Sequence, residues 1–112
     1  MKTIIHCKNI DLTPSITALV NEKIDTIAKL FDPRDEELAE ARVEVGRPSM
    51  HHKTGAVYSA EINLKIGGNL FRAVAEHFEL RNAVDFARDE LEKQIKKEKN
   101  KKRDSNRQPK RI

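Results

Sequence analysis

The chain is predicted to be a single α+β domain, ordered β-α-β-β-β-α, with a four-stranded sheet carrying two helices on one face. Three observations lead there. The hydrophobic period is close to 3.6 in two segments, near residues 14–31 and 80–99, and it is two in the segments between them. A Gly67-Gly68-Asn69 run separates two of the alternating segments, which marks a hairpin. At 112 residues, one modest core is the most such a chain can bury.

Residues 3–8 form a short β-prone run, Ile5 and Cys7 on one face and Ile4, His6 and Lys8 on the other. Asp11-Leu12-Thr13-Pro14-Ser15 then reads as a helix start, in which the Thr13 hydroxyl caps free N–H groups and Pro14 takes the first helical position. That helix is expected to reach about Phe31, burying Ile16, Leu19, Val20, Ile24, Ile27, Ala28 and Phe31, before Asp32-Pro33 ends it. The acidic residues 34–40 read as a surface connection.

Ala41, Val43 and Val45 alternate with polar residues as a half-buried strand. After an extended loop over 47–56, the clearest alternation in the chain sets Tyr58, Ala60, Ile62, Leu64 and Ile66 against Ser59, Glu61, Asn63 and Lys65. In the fourth strand, about 70–76, two faces compete; Phe71, Ala73 and Ala75 are expected to point inward and Arg72 outward. The last helix, from about 80 to 99 or beyond, has Leu80, Val84, Ala87, Leu91 and Ile95 as its apolar stripe. Residues 104–112 have the composition of a disordered basic tail.

Charge is distributed unevenly. Residues 93–112 hold ten Lys and Arg against two acidic residues, a net +8, and residues 1–92 hold twelve against sixteen, a net −4. Such a basic end suits a polyanion, because neutralising phosphates releases counterions; a solvated tail is the plainer reading of the same composition. At 100° per residue, Arg81, Arg88, Lys96, Lys99 and Arg103 fall in one sector beside the apolar stripe, shared with Asp85 and Glu92. This is a basic ridge or an ordinary solvated face. Trp is absent and aromatics make up 4% of the chain, which argues for recognition by shape and charge rather than by rows of stacked rings.

Chemistry finds little support. Gly67-Gly68 is not followed by Gly-Lys-Ser/Thr, so no phosphate-binding loop is formed. His51-His52 lack further ligands at a metal-site spacing, and His6 and Cys7 should face opposite sides of the sheet. His77 reads as a packing or capping residue, and Asp35, Glu36 and Glu37 as a loop cluster with nothing to set an acid apart from a base. The Met50–Thr54 loop is a candidate contact segment. Cys7 is the sole cysteine, which excludes an internal disulfide. No apolar run reaches bilayer length and no secretion signal is evident, so a soluble intracellular protein is expected.

Taken together, Asp11-Leu-Thr-Pro, Lys23, Tyr58-Ser-Ala-Glu-Ile-Asn-Leu, Asn82-Ala-Val-Asp and Leu91-Glu-Lys-Gln-Ile-Lys-Lys resemble the short ribosome hibernation promoting factors and ribosome-associated inhibitors, the sigma-54 modulation protein family. The likeness spans about residues 4–103. It implies a fold similar to a double-stranded RNA-binding domain and a non-enzymatic, cytoplasmic protein without cofactor or metal. Its implied partners are the small ribosomal subunit and its rRNA, in the channel for messenger and transfer RNA, so that translation stops and ribosomes are preserved through stress. No membrane or small-molecule substrate is implied, and the protein is expected to be a monomer off the ribosome. Lys23, Lys93, Lys97, Lys99, Lys101 and Arg103 stand where family members carry basic residues. Lys29, Arg88, Lys96 and Lys102 join the expected RNA-binding set on charge and helical position alone.

The chain has Glu79-Leu80-Arg81 where relatives commonly have Asp-Met-Tyr or similar, and Arg81 there is expected to add a phosphate contact. Thr26 replaces a basic residue of some relatives. Residues 1–103 are the expected ribosome-binding domain. The pairing of ribosomes by a second domain, as in long relatives, is not expected. The alternative is a protein-interaction regulator of transcription, a sigma-factor modulator that binds no RNA, supported by the acidic body alone. Free duplex RNA is a third candidate target.

Overall fold

A computed structural model describes residues 1–47 and 57–107, with residues 102–107 described by backbone alone. The elements are β1 (Lys2–Lys8), α1 (Pro14–Ala28), α2 (Pro33–Glu37), β2 (Glu40–Gly46), β3 (Tyr58–Ile66), β4 (Asn69–His77) and α3 (Leu80–Arg107). One sheet has the order β1-β2-β3-β4. β1 runs parallel to β2 across the helical crossover, and the remaining pairs are antiparallel. The expected α+β class and strand order are found. The expected loop over 47–56 and the Met50–Thr54 segment lie, apart from Arg47, outside the described residues.

α1 begins as its sequence dictates: Thr13 is extended, and its hydroxyl accepts the Ile16 N–H at 3.2 Å ahead of Pro14. It stops at Ala28, three residues before the expected Phe31. Leu30 donates to the Ile27 carbonyl and Phe31 to that of Ala28, so the chain tightens from i−4 to i−3 bonding. A further correction concerns residues 34–40, where part of the expected connection folds as α2. Asp32 is extended ahead of Pro33, as residues preceding proline are, and its carboxylate accepts the Arg34 N–H at 2.9 Å. The Met1 ammonium reaches Glu36 at 2.6 Å and ties this turn to the start of β1.

The β3–β4 hairpin turns on Gly67 and Gly68, with φ of 56° and 82°. Glycine takes two such consecutive values without strain, and Ile66 pairs directly with Asn69. Register then decides the two faces of β4. Ala73 is buried and Phe71 and Ala75 pack against the core, whereas Leu70 and Val74 are exposed.

The core joins Val20, Ile24 and Ile27 of α1 to Val43, Val45, Ile62 and Leu64 of the sheet and to Ala83, Val84, Ala87, Leu91 and Ile95 of α3. α3 lies over β3 and β4 and against α1, and α1 touches β1. The two long helices therefore share one face, and Arg42, Glu44, Lys65 and Arg72 occupy the other. α3 continues to Arg107, so its helical backbone passes the expected boundary at Asp104. Residues 108–112 lie outside the described residues.

Gly46 closes β2 where the Lys8 carbonyl accepts the Arg47 N–H at 3.0 Å. A Cβ at Gly46 would stand 1.9 Å from that Lys8 oxygen. Gly46→Ala must therefore part β1 from β2. It is expected to cost about 2 kcal/mol and lower the melting temperature by roughly 10 °C, read by circular dichroism; an unchanged melt would show that the β1–β2 junction relaxes freely.

Candidate nucleic-acid interface

The sector of α3 that carries Arg81, Asp85, Arg88, Glu92, Lys96 and Lys99 turns toward α1, and most of its charges are used there. Lys23 of α1 meets Asp85 at 2.7 Å. The Arg88 guanidinium, only 19% exposed, donates to the Thr26 hydroxyl at 2.7 Å, to Asp89 at 3.1 Å and to Glu92. Lys96 pairs with Glu92 at 2.7 Å. Lys99 donates to the Leu30 carbonyl and sits 5.2 Å from the centre of the Phe31 ring, a cation–π distance. The frayed end of α1 is thus closed by a lysine from α3.

This seam changes what the expected ridge can do. Lys23, Arg88, Lys96 and Lys99 are engaged within the molecule, and the Thr26 hydroxyl, which replaces a charge of some relatives, becomes the acceptor that positions Arg88. Hydrogen bonds from Lys96 and from Arg88 hold the Glu92 carboxyl below the usual carboxylate range.

Five other residues of the expected set remain. Lys29, Arg81, Lys93, Lys97 and Lys101 are all exposed, and none forms a hydrogen bond or ion pair with a described residue. Lys93, Lys97 and Lys101 follow one another at four-residue spacing, hence about 6 Å apart along the helix axis, on the flank of α3 away from α1. The acidic neighbour Glu90 there accepts a hydrogen bond from Gln94 at 3.3 Å, and Gln94 also donates to the Arg72 carbonyl at 2.8 Å. Lys102 and Arg103 lie on helical backbone, with side chains outside the described residues. His51 and His52 also lie outside them.

The open face of the sheet differs in character. Arg72 meets Glu61 at 2.9 Å, Asn63 donates to the same carboxylate at 3.1 Å, and Arg42 approaches Glu40 at 3.4 Å. The Glu61 carboxyl is held below its ordinary value by Asn63 and then Arg72, against the opposing effect of burial. Charge on this face is largely matched. His77 is a capping residue, as expected: its Nδ1 accepts the Glu79 N–H at 3.0 Å at the start of α3. Sequence reasoning assigned no role to Phe78 or Phe86, which are 69% and 50% exposed. The signal was available for Phe86, a large apolar residue off the buried stripe of its helix.

The class defined by these features is that of small α+β domains that set a long, partly basic helix across a four-stranded sheet. The family model described as sigma 54 modulation protein / S30EA ribosomal protein matches residues 3–103, and the chain belongs to that family, one of ribosome-associated proteins that are not enzymes. Among solved structures, the Protein Y N-terminal domain of Thermus thermophilus is similar at 27% identity, over 87% of this chain and 98% of that one, with a TM-score of 0.70. A ribosomal subunit interface protein from Coxiella burnetii shares the fold at 20% identity, over 88% and 98% of the two chains, with a TM-score of 0.67. No curated protein matches the chain. Among the described residues, no helix is long and apolar enough to cross a membrane.

Two outcomes test the division between seam and flank. Arg88→Ala should destabilise by about 1–3 kcal/mol, because it strips partners from partly buried groups, whereas Lys97→Ala should stay within about 0.5 kcal/mol of the parent, both read by urea denaturation. Glu92 tests the seam by titration. Because its folded pKa is depressed, its contribution to stability is present above the ordinary carboxylate range and is lost as pH falls through the folded value. A carboxyl NMR titration should place the Glu92 midpoint below that of the unfolded chain, and Lys96→Ala should raise it; an unmoved midpoint would show that Lys96 does not hold the carboxylate.

Proposed function

We propose that this protein is a hibernation factor that binds the small ribosomal subunit in its messenger and transfer RNA channel, so that an idle ribosome cannot initiate. The observation that carries the reading is the row Lys93-Lys97-Lys101, exposed and without partners among the described residues, on one long helix, in a member of a ribosome-associated family. Lysines without internal partners are free to neutralise phosphates, and the charge they bring is not cancelled by the body, whose matched open face offers no comparable surface. Lys29 and Arg81, exposed elsewhere on the fold, add to the positive charge of this reading, and Lys102 and Arg103 follow next in the sequence of the helix. In this reading Lys23, Arg88, Lys96 and Lys99 support binding by fixing α1 against α3. The protein acts in the cytoplasm, as a monomer off the ribosome, and rRNA is the surface it meets.

The elongated shape, with extents of 60 × 29 × 18 Å and a helix longer than its core, supports this reading, because such a body suits a channel that RNA would otherwise occupy. Cosedimentation with purified small subunits across a salt series tests this. The parent should bind saturably, with affinity falling steeply as salt rises. Replacing Lys93, Lys97 and Lys101 together by Glu should weaken binding at least tenfold and lessen the salt slope by about one per lost phosphate contact. Binding that survives high salt and nuclease would instead favour a protein partner, the sigma-factor modulator reading.

A further inference from the structure

Phe78 and Phe86 stand at the surface, on the two sides of His77. The His77 ring lies 6.0 Å from that of Phe78 and 5.5 Å from that of Phe86, edge to face with both. His77 is held in turn by its hydrogen bond from the Glu79 N–H, so the three rings form a fixed cluster at the start of α3. Phe86 projects from the flank that carries Lys93 and Lys97: at 100° per residue the three fall within roughly 40° of one another. Phe78 also walls, with Tyr58, Leu80 and Arg81, an open groove of about 520 Å³, and the Arg81 guanidinium beside it has no partner among the described residues.

Resting on the RNA-binding reading above, we propose that this flank is a track for unpaired RNA, in which Phe86 and Phe78 stack bases while Lys93 and Lys97 take the phosphates that follow. Exposed rings ahead of a line of lysines are what a single strand requires, since every base has a face to stack and every linkage a charge to neutralise. A duplex offers neither ring an accessible base. Two of the four Phe in the chain stand at the surface in one place, and the proposal adds stacking to the recognition by shape and charge expected from composition.

The test uses the full chain and a short fluorescein-labelled oligoadenylate, with an RNA hairpin of equal phosphate number as competitor. Oligoadenylate should bind more tightly than the hairpin. Phe86→Leu and Phe78→Leu should each weaken oligoadenylate binding roughly fivefold or more, with melting temperature and hairpin affinity unchanged. Phe86→Trp supplies an independent readout, because the chain has no other Trp: the indole emission should be quenched as oligoadenylate saturates. Equal affinity for both RNAs, Leu variants that bind as the parent does, or an indole emission that ignores RNA would each overturn the stacking role. If small-subunit binding persists and still depends on the three lysines, the stacking inference alone fails; if small-subunit binding is also absent, the reading beneath it fails with it.

Discussion

The apolar stripe Val84-Ala87-Leu91-Ile95 lies across β3 and β4 and is buried together with Ile62 and Leu64. Each large side chain in that layer contributes about 1.5–3 kcal/mol on burial, and an isolated helix of such polarity would be marginal in water. The stripe ends at Ile95, yet the helix continues to Arg107. Its second half is therefore held by the packing of its first half. The sheet must be rigid for that anchoring to work, which puts weight on the Gly67-Gly68 hairpin and on the close approach of Gly46 to Lys8.

Position relative to that stripe decides what each charge on α3 does. On the side toward α1, Lys96 and Lys99 find partners, and Arg88 uses its planar fork to join Thr26, Asp89 and Glu92 at once. On the opposite flank only Gln94, among the described residues, reaches a second element, through the Arg72 carbonyl of β4. Lys93, Lys97 and Lys101 stay solvated there, their heads in water and their positions set by the helix. Among the described lysines of the last twenty residues there are thus two populations: Lys96 and Lys99 close the fold, and Lys93, Lys97 and Lys101 remain available to a polyanion.

Much of this was legible in the sequence wherever a local rule and the tertiary environment agree. Strict alternation from Tyr58 to Ile66 could belong only to a strand with one buried face, Gly67-Gly68 could belong only to a tight hairpin, and Thr13-Pro14 marked the first turn of α1. Asp32-Pro33 was read as the end of one helix when it is also the cap of the next, because a cap and a terminator use the same residues. Phe31 fits the helical period but lies past the end of α1, where it meets Lys99 instead. A helical wheel identified the sector of Arg88 and Lys99 correctly; it could not say that α1 covers that sector. Which face of a helix is solvated is a property of its neighbours, and the lysines that remain free were separable from those that do not only once α1 was in place.

The same reasoning supports α3, rather than the sheet, as the proposed binding surface. The open face of the sheet sets Arg42 and Arg72 within 4 Å of Glu40 and Glu61, so an approaching phosphate would have to displace a carboxylate to reach Arg72 or Arg42. The α3 flank imposes no such exchange: its lysines lose only water and counterions. The helix also holds them at fixed intervals, so that the backbone ordering required of a flexible basic tail on binding is already supplied by folding. The fold is shared with a relative at 27% identity, so most surface positions are free to differ, and in this chain the α3 flank combines exposed lysines with the exposed rings of Phe78 and Phe86.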